Sequence, residues 1–201
     1  MIKKIINNMA ASPKLFIILR RILENNFKGQ RKVIEEKFRG TAGEKILDIG
    51  CGTGEFSVLF NPASYTGVDI EPAYIAYAKN NYKGIFMEGD ATSMNFSNNS
   101  FDRVVIIGVL HHLSDEVSLR VLKEARRVLK PNGNMLVMED VATPEDGKLT
   151  GLLHKLDKGD YIREAEEYRA LLESVFEVKD SFKISSGICP YQVFILKNKS
   201  G

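Results

Sequence analysis

Cysteine is scarce in this sequence. Its 201 residues hold two cysteines, Cys51 and Cys189, with no CxxC pair and no spacing that couples them. That excludes a disulfide-stapled fold and predicts free thiols in a reducing cytoplasm. Long apolar runs are missing too. The run LFIIL (Leu15–Leu19) falls far short of the roughly 20 residues needed to cross a bilayer, so no transmembrane segment is predicted. Lys3 and Lys4 ahead of it give it the look of a secretory signal, but the apolar stretch is too short and Arg20–Arg21 interrupt it. An excess of one charge is also absent. The net charge is +2, which carries no overall nucleic-acid signature. No internal repeat, low-complexity segment or cluster of metal-ligating residues stands out.

The charge that is present is unevenly placed. The first 40 residues hold ten Lys and Arg against three Glu, a net +7, which leaves −5 for the other 161. A basic front end therefore precedes an acidic body. Hydrophobic residues make up 44% of the chain, enough for a real core, and the length predicts one domain.

The body alternates strands and helices. Strands are predicted at Glu44–Gly50, Ser64–Ile70, Gly84–Asp90, Phe101–Val109 and Asn134–Asp140. Helices are predicted at Pro72–Asn81, with Pro72 suited to the first turn, and at Asp115–Leu129, with Ser114 as N-cap. KPNG (Lys130–Gly133) reads as the turn that ends the second helix. A helix at Glu164–Val175 precedes two strands, Phe176–Ile184 and Tyr191–Lys197. Their connection is too short for a parallel crossover, so they are predicted antiparallel. The stretch 141–163 is long for a loop and should contain a short helix near Leu149–Leu156. The basic segment Ser12–Phe27 reads as one amphipathic helix. Short apolar strands alternating with helices predict an α/β fold with a mainly parallel sheet covered on both faces.

Open α/β sheets bind ligands beyond the carboxyl ends of their strands. In this sequence those ends carry acids: Asp48, Asp69 with Glu71 behind it, Asp90, and Glu139–Asp140. Such a rim repels phosphate. Between the first two strands stands LDIGCGTGEF, with Gly50, Gly52 and Gly54 spaced G-x-G-x-G rather than the G-x-G-x-x-G of a pyrophosphate site. Bare backbone lets a ligand approach closely. Asp69, about 20 residues past the loop, stands where a carboxylate can accept from ribose hydroxyls. A cationic ligand with a ribose and no phosphate answers this description, and S-adenosylmethionine is such a ligand.

Five strings, ILDIGCGTGEF, YTGVDIEP, GDA, FDRVVIIGVLHHL and RVLKPNGNMLV, occur in an order and spacing that resembles class I S-adenosylmethionine-dependent methyltransferases. The likeness covers about residues 44–140 and is greatest to the small-molecule group that includes quinone-biosynthesis enzymes. It implies a Rossmann-like seven-stranded mixed sheet with helices on both faces and the last strand antiparallel. It implies residues 1–40 as an N-terminal helical lid, residues 41–201 as the methyltransferase domain, and 141–163 as a substrate-shaping insertion.

The resemblance also implies roles. Asp48 and the loop Gly50, Cys51, Gly52 and Gly54 would face the methionine part of S-adenosyl-L-methionine. Asp69 would hold the ribose and Ile70 would pack on the adenine. Asp90 would accept from the adenine amino group beside Ala91, and Gly108 and Val109 would line the methionine end. Cys51 is read as a small filler rather than a nucleophile, and Glu71 as solvated. Methyl transfer is an in-line displacement that can use a base for an acidic acceptor. His111 and His112, after the fourth strand, are the candidates, with His111 placed first. The rival reading has one histidine packing and the other lining the site passively. His154, Tyr161 and Arg163 are further candidates at the substrate side. The basic N-terminal helix could also touch a membrane surface. The expected acceptor is a small molecule, lipophilic ones included, and not a nucleic acid. Two other readings stay open: a nicotinamide-dependent oxidoreductase, which the loop spacing and acidic rim oppose, and an S-adenosylmethionine-binding protein without chemistry.

Overall fold

The computed structural model describes residues 13–141 and 161–199. Seven strands form one sheet: β1 (Ile46–Ile49), β2 (Tyr65–Asp69), β3 (Ile85–Glu88), β4 (Phe101–Ile107), β5 (Leu129–Asp140), β6 (Phe176–Ser186) and β7 (Cys189–Asn198). Their order is β3-β2-β1-β4-β5-β7-β6. The first five run parallel, and β7 lies antiparallel between β5 and β6. This is the Rossmann-like mixed sheet expected from the sequence.

The continuous apolar runs follow from burial on both faces. Successive strand residues point to opposite sides. Leu47, Ile49, Val104, Ile106, Met135 and Val137 enter a core closed by α4 (Asp115–Val128) and α5 (Ala165–Glu173). Their neighbours Ile46, Val105, Ile107, Leu136 and Met138 enter a second core. That core is closed by α1 (Pro13–Leu23), α2 (Lys28–Val33, continued by a π turn at Ile34–Phe38) and α3 (Pro72–Asn81).

Two boundaries differ from expectation. KPNG is not the end of an element. Helix α4 stops at Val128, and the chain enters β5 at once. The pairing of β4 with β5 steps from Phe101↔Leu129 to Arg103↔Asn134, so Pro131–Gly133 bulge out within the strand. The N-terminal helix does not run through to Phe27 either. It ends at Leu23, and Asn25, Asn26 and Phe27 have φ of 49°, 56° and 59°. Asparagine tolerates this left-handed region, whereas phenylalanine adopts it only when its surroundings dictate it. Phe27 is 1% exposed, sets its ring edge against Phe56 at 5.5 Å, and lies 5.3 Å beneath the Arg20 guanidinium.

This break turns the chain so that α1 is tied down at both sides. The buried Glu24 carboxylate accepts from Arg20 Nε (2.6 Å), Gln30 Nε2 (2.6 Å) and Tyr191 Oη (2.7 Å), and Ser186 Oγ donates to its carbonyl. Arg21 forks onto Glu55 of the glycine loop at 3.0–3.1 Å, where Tyr82 Oη also donates. Residues 142–160, including His154 and the helix expected near Leu149–Leu156, lie outside the described residues.

Candidate active site

A cavity of about 560 Å³ opens beyond the carboxyl ends of β1, β2 and β4. Strand order reverses between β1 and β4, the place where open α/β sheets bind ligands. The cavity is lined by Asp48, Gly50, Cys51, Gly52, Asp69, Ile70, Asp90, Ala91, Gly108, Val109 and His112, so most of the residues named from sequence come together.

Gly50 leaves β1 with φ +72° and its N–H donates to Val68 O at 2.7 Å; a Cβ there would strike the Val109 side chain. Gly52 (φ +52°) has nothing within 4 Å of where a Cβ would sit, and its N–H donates to Asp69 Oδ2 at 2.8 Å. Bare backbone therefore faces the cavity at this position. Gly54 does not line the cavity. A Cβ on it would meet Phe86, Ala78 and Tyr82, so its bareness lets the loop lie against α3.

The acids differ by environment. Asp48 is enclosed, and burial pushes its carboxyl up to about 7, opposed by the Tyr65 hydroxyl donating at 2.6 Å and raised further by nearby Asp69. Burial also raises Asp69, against hydrogen bonds from the Glu71 and Gly52 N–H groups. Asp90 is held below the usual range by the Thr92 N–H and hydroxyl. Burial drives the Cys51 thiol far up, which keeps it protonated and inert as a nucleophile. Glu71 is exposed, as the solvated reading has it; it stands at the cavity wall and caps α3 through the Ala73 N–H.

The two histidines differ in setting. Leu110–His112 form a 3-10 turn that leaves the two imidazole rings in contact, centroids 4.0 Å apart, with one buried and the other exposed. His111 is 1% exposed, and its Nδ1 lies 2.8 Å from Glu139 Oε2. As Glu139 is an acceptor, Nδ1 is assigned the proton. His111 is not part of the cavity wall; His112 is. The preference for His111 is therefore reversed by geometry. Glu139, placed on the acidic rim from sequence, is 0% exposed and accepts from the N–H groups of Val109, Leu110 and His111. Arg163 holds the other end of the same turn by donating to the carbonyls of Leu110 and Leu113. Neither Arg163 nor Tyr161 lines the cavity.

Arg20, Phe27, Tyr74, Thr92 and Arg120 also line the cavity and were not identified from the sequence. Thr92 and Tyr74 had a usable signal, since each lies within a few residues of a rim acid. Arg20 and Phe27 had none, because their place depends on the break after Leu23. Among the described residues no group of three or more His, Cys, Asp or Glu could hold a metal ion.

Fold and site together define an open α/β protein with a pocket for a phosphate-free, ribose-bearing cation. Residues 46–133 match the model of a family described as a methyltransferase domain. A demethylmenaquinone methyltransferase of Thermotoga maritima is 32% identical over 68% of this chain and 61% of its own. A phthiotriol/phenolphthiotriol dimycocerosates methyltransferase of Mycobacterium leprae is 36% identical over 47% of this chain and 37% of its own. The chain thus spans about three fifths or less of the length of these relatives. A protein of Pyrococcus horikoshii OT3 has the same fold, with a TM-score of 0.68 over 87% of this chain and 90% of that one, at 22% identity. The chain belongs to the class I S-adenosylmethionine-dependent methyltransferases.

Proposed function

We propose that this protein transfers a methyl group from S-adenosyl-L-methionine to a small-molecule acceptor, releasing S-adenosyl-L-homocysteine. The observation that carries the proposal is the setting of Asp48, Gly52, Asp69 and Asp90 around one cavity with no phosphate cradle. An enclosed carboxyl whose pKa is lifted by burial gains most from a cation, and the backbone at Gly52 leaves room for one. Asp69 would accept from the ribose hydroxyls, Asp90 and Ala91 would meet the adenine edge, and Ile70 its face. Asp48, Gly50, Gly108 and Val109 would surround the methionine end. Bound S-adenosylmethionine supplies an electrophilic methyl carbon. The chain's own part is to orient the acceptor against that carbon and keep water out. His112, on the cavity wall near Gly108, would take the acceptor's proton where there is one to lose.

Residues 13–40 would act as a cover over this site, residues 1–12 of the expected lid lying outside the described residues, with the domain proper following from 41. The names of the two relatives support a lipophilic acceptor. Ile18 and Ile22, 51% and 72% exposed on basic α1, would support contact with an anionic membrane surface, checked by cosedimentation with anionic vesicles. No helix among the described residues is long and apolar enough to cross a membrane. The two free cysteines, Cys51 and Cys189, support a reducing, cytoplasmic location.

Thermal unfolding with S-adenosylmethionine, S-adenosylhomocysteine and NADH tests the pocket. A ligand at about 100 times its dissociation constant adds roughly 2.7 kcal/mol, a rise of about 5–10 °C for a chain of this size. The two adenosyl sulfur compounds are expected to give it and NADH is not; a rise with NADH alone would overturn the reading. Turnover of labelled methyl on an acceptor panel separates an enzyme from a binding protein. In that assay His112→Ala should lower turnover at least tenfold with cofactor affinity unchanged. Equal loss of both would remove His112 as the base.

A further inference from the structure

We infer that the turn between β6 and β7 joins α1 in one docking surface for an anionic lipid bilayer. The inference rests on the membrane contact proposed above for α1 and extends it to a second, sequence-distant anchor, Ile188.

Three large apolar side chains stand in solvent in this part of the molecule: Ile18 and Ile22 on α1, and Ile188, 48% exposed, in the turn. Ile18 and Ile22 lie one helical turn apart on one face, with the exposed Lys14 one turn before them. Hydrogen bonds bring Ile188 to the end of that helix. Its N–H donates to Leu23 O at 3.1 Å. Ser186 Oγ donates to Glu24 O at 2.7 Å and accepts from the Gly29 N–H at 3.1 Å. Gly187 (φ +59°) lies so close that a Cβ on it would strike Leu23 O. Turn and helix end are therefore one fixed piece, formed before any partner arrives.

The fold gives no reason for an isoleucine at 188. Ser186 pairs with Cys189, so Gly187 and Ile188 make a two-residue hairpin turn. Such turns favour Asn, Asp or Gly, and an exposed isoleucine there buries nothing. Charge decides what would cover it. From residue 13 to residue 34 the chain carries six Lys and Arg and a single acid, Glu24, which is buried. The turn from Ser185 to Pro190 adds no acid. Arg21 and Arg31 are engaged by Glu55. Lys14 and Lys28 are exposed and enter no ion pair among the described residues. Two copies of so basic a face would repel each other, whereas apolar side chains among lysines fit anionic headgroups over acyl chains. Ile17 and Arg20, on another side of α1, line the cavity. Docking would set that cavity about one helix diameter, roughly 10 Å, from the lipid, which suits an acceptor carried in the bilayer.

The test is cosedimentation of the full chain with vesicles of equal parts phosphatidylcholine and phosphatidylglycerol, and with phosphatidylcholine alone. Wild type should bind the mixed vesicles about tenfold or more tightly than the neutral ones. Ile22→Asp and Ile188→Asp should each weaken binding to the mixed vesicles about tenfold or more. S-adenosylhomocysteine should raise the melting temperature of both variants as it does that of wild type, which shows that they are folded. Wild type that ignores the mixed vesicles would overturn the inference whether or not the variants fold. A loss confined to Ile22→Asp would overturn the composite surface and leave the α1 contact standing. Wild type that runs as a dimer which Ile22→Asp disperses would assign the patch to a second copy and overturn the inference too. Vesicle binding that both variants lose, in a wild-type protein whose melting the ligand does not move, would support the surface and overturn the cofactor reading instead.

Discussion

Replacing Glu139 by alanine should destabilise the fold by about 3–5 kcal/mol and lower its melting temperature by about 10 °C or more. The carboxylate is 0% exposed and accepts from three successive backbone N–H groups and from His111. Alanine would leave all of these donors buried without an acceptor, and an unmet buried donor costs about 1–3 kcal/mol. The damage would not stay in the core. The same N–H groups fix the turn that carries Val109 and His112 to the cavity, so cofactor affinity should fall with stability. Glu139→Gln retains one acceptor oxygen and should lie between. Arg163→Ala frees the two carbonyls at the other end of the turn and should cost less, because its partner Asp115 is exposed. Urea unfolding of the three variants gives the ranking. A Glu139→Ala protein that melts within about 2 °C of wild type would show that the turn holds itself.

Asp48→Asn should have the opposite signature, a more stable protein that binds its cofactor poorly. Burial lifts the folded-state pKa of Asp48 to about 7, from the 3.8 of an ordinary aspartate. Between those values the unfolded chain has released the proton and the folded chain still holds it. Raising the pH through this window therefore lowers stability, and above about 7 the full penalty is present, about 4 kcal/mol. Asparagine keeps an acceptor for the Tyr65 hydroxyl and has no charge to bury, so at pH 8 the variant should gain stability of that order and at pH 4 nothing. A cationic ligand reverses the balance, because it stabilises the ionised form. Wild-type affinity for S-adenosylmethionine should thus weaken as pH falls below 7, by up to tenfold per unit, and the variant's should be weak and flat. Unfolding and binding measured at pH 5 and 8 check both halves. A variant less stable than wild type at pH 8 would refute this account of Asp48.

Both expectations concern residues whose position the sequence disclosed only in part. Asp48, Asp69 and Asp90 were legible because each lies within two residues of a strand's carboxyl end, and those ends in a parallel sheet share one edge. Gly50 and Gly52 were legible for the same reason. Gly54, five positions past β1, had already left that edge for α3. The paired histidines could not be told apart, since a 3-10 turn and an extended link give the same two letters; the acceptor of the turn's N–H groups, 28 residues downstream, decides which ring is buried. Glu139 looked like another rim acid because a strand's last residue and a turn's cap are the same position seen from outside and inside. Arg20 was beyond reach, since its neighbours in space lie at Gly108 and Tyr191.

The tie between Glu24 and the β6–β7 hairpin bears on how the chain is made. Glu24 meets Ser186 and Tyr191 across 162 and 167 residues of sequence. A segment synthesised early therefore waits for one synthesised late, and joining them bears the entropy of closing almost the longest loop this chain allows. Until then Ile17 and Phe27 have no complete surface to bury against, and the nascent chain exposes them together with a basic stretch. Such non-local docking slows folding and leaves the ligand cavity unfinished in every intermediate that lacks the final hairpin. Ligand binding during refolding should accordingly appear only with the last kinetic phase, after the parallel strands have assembled.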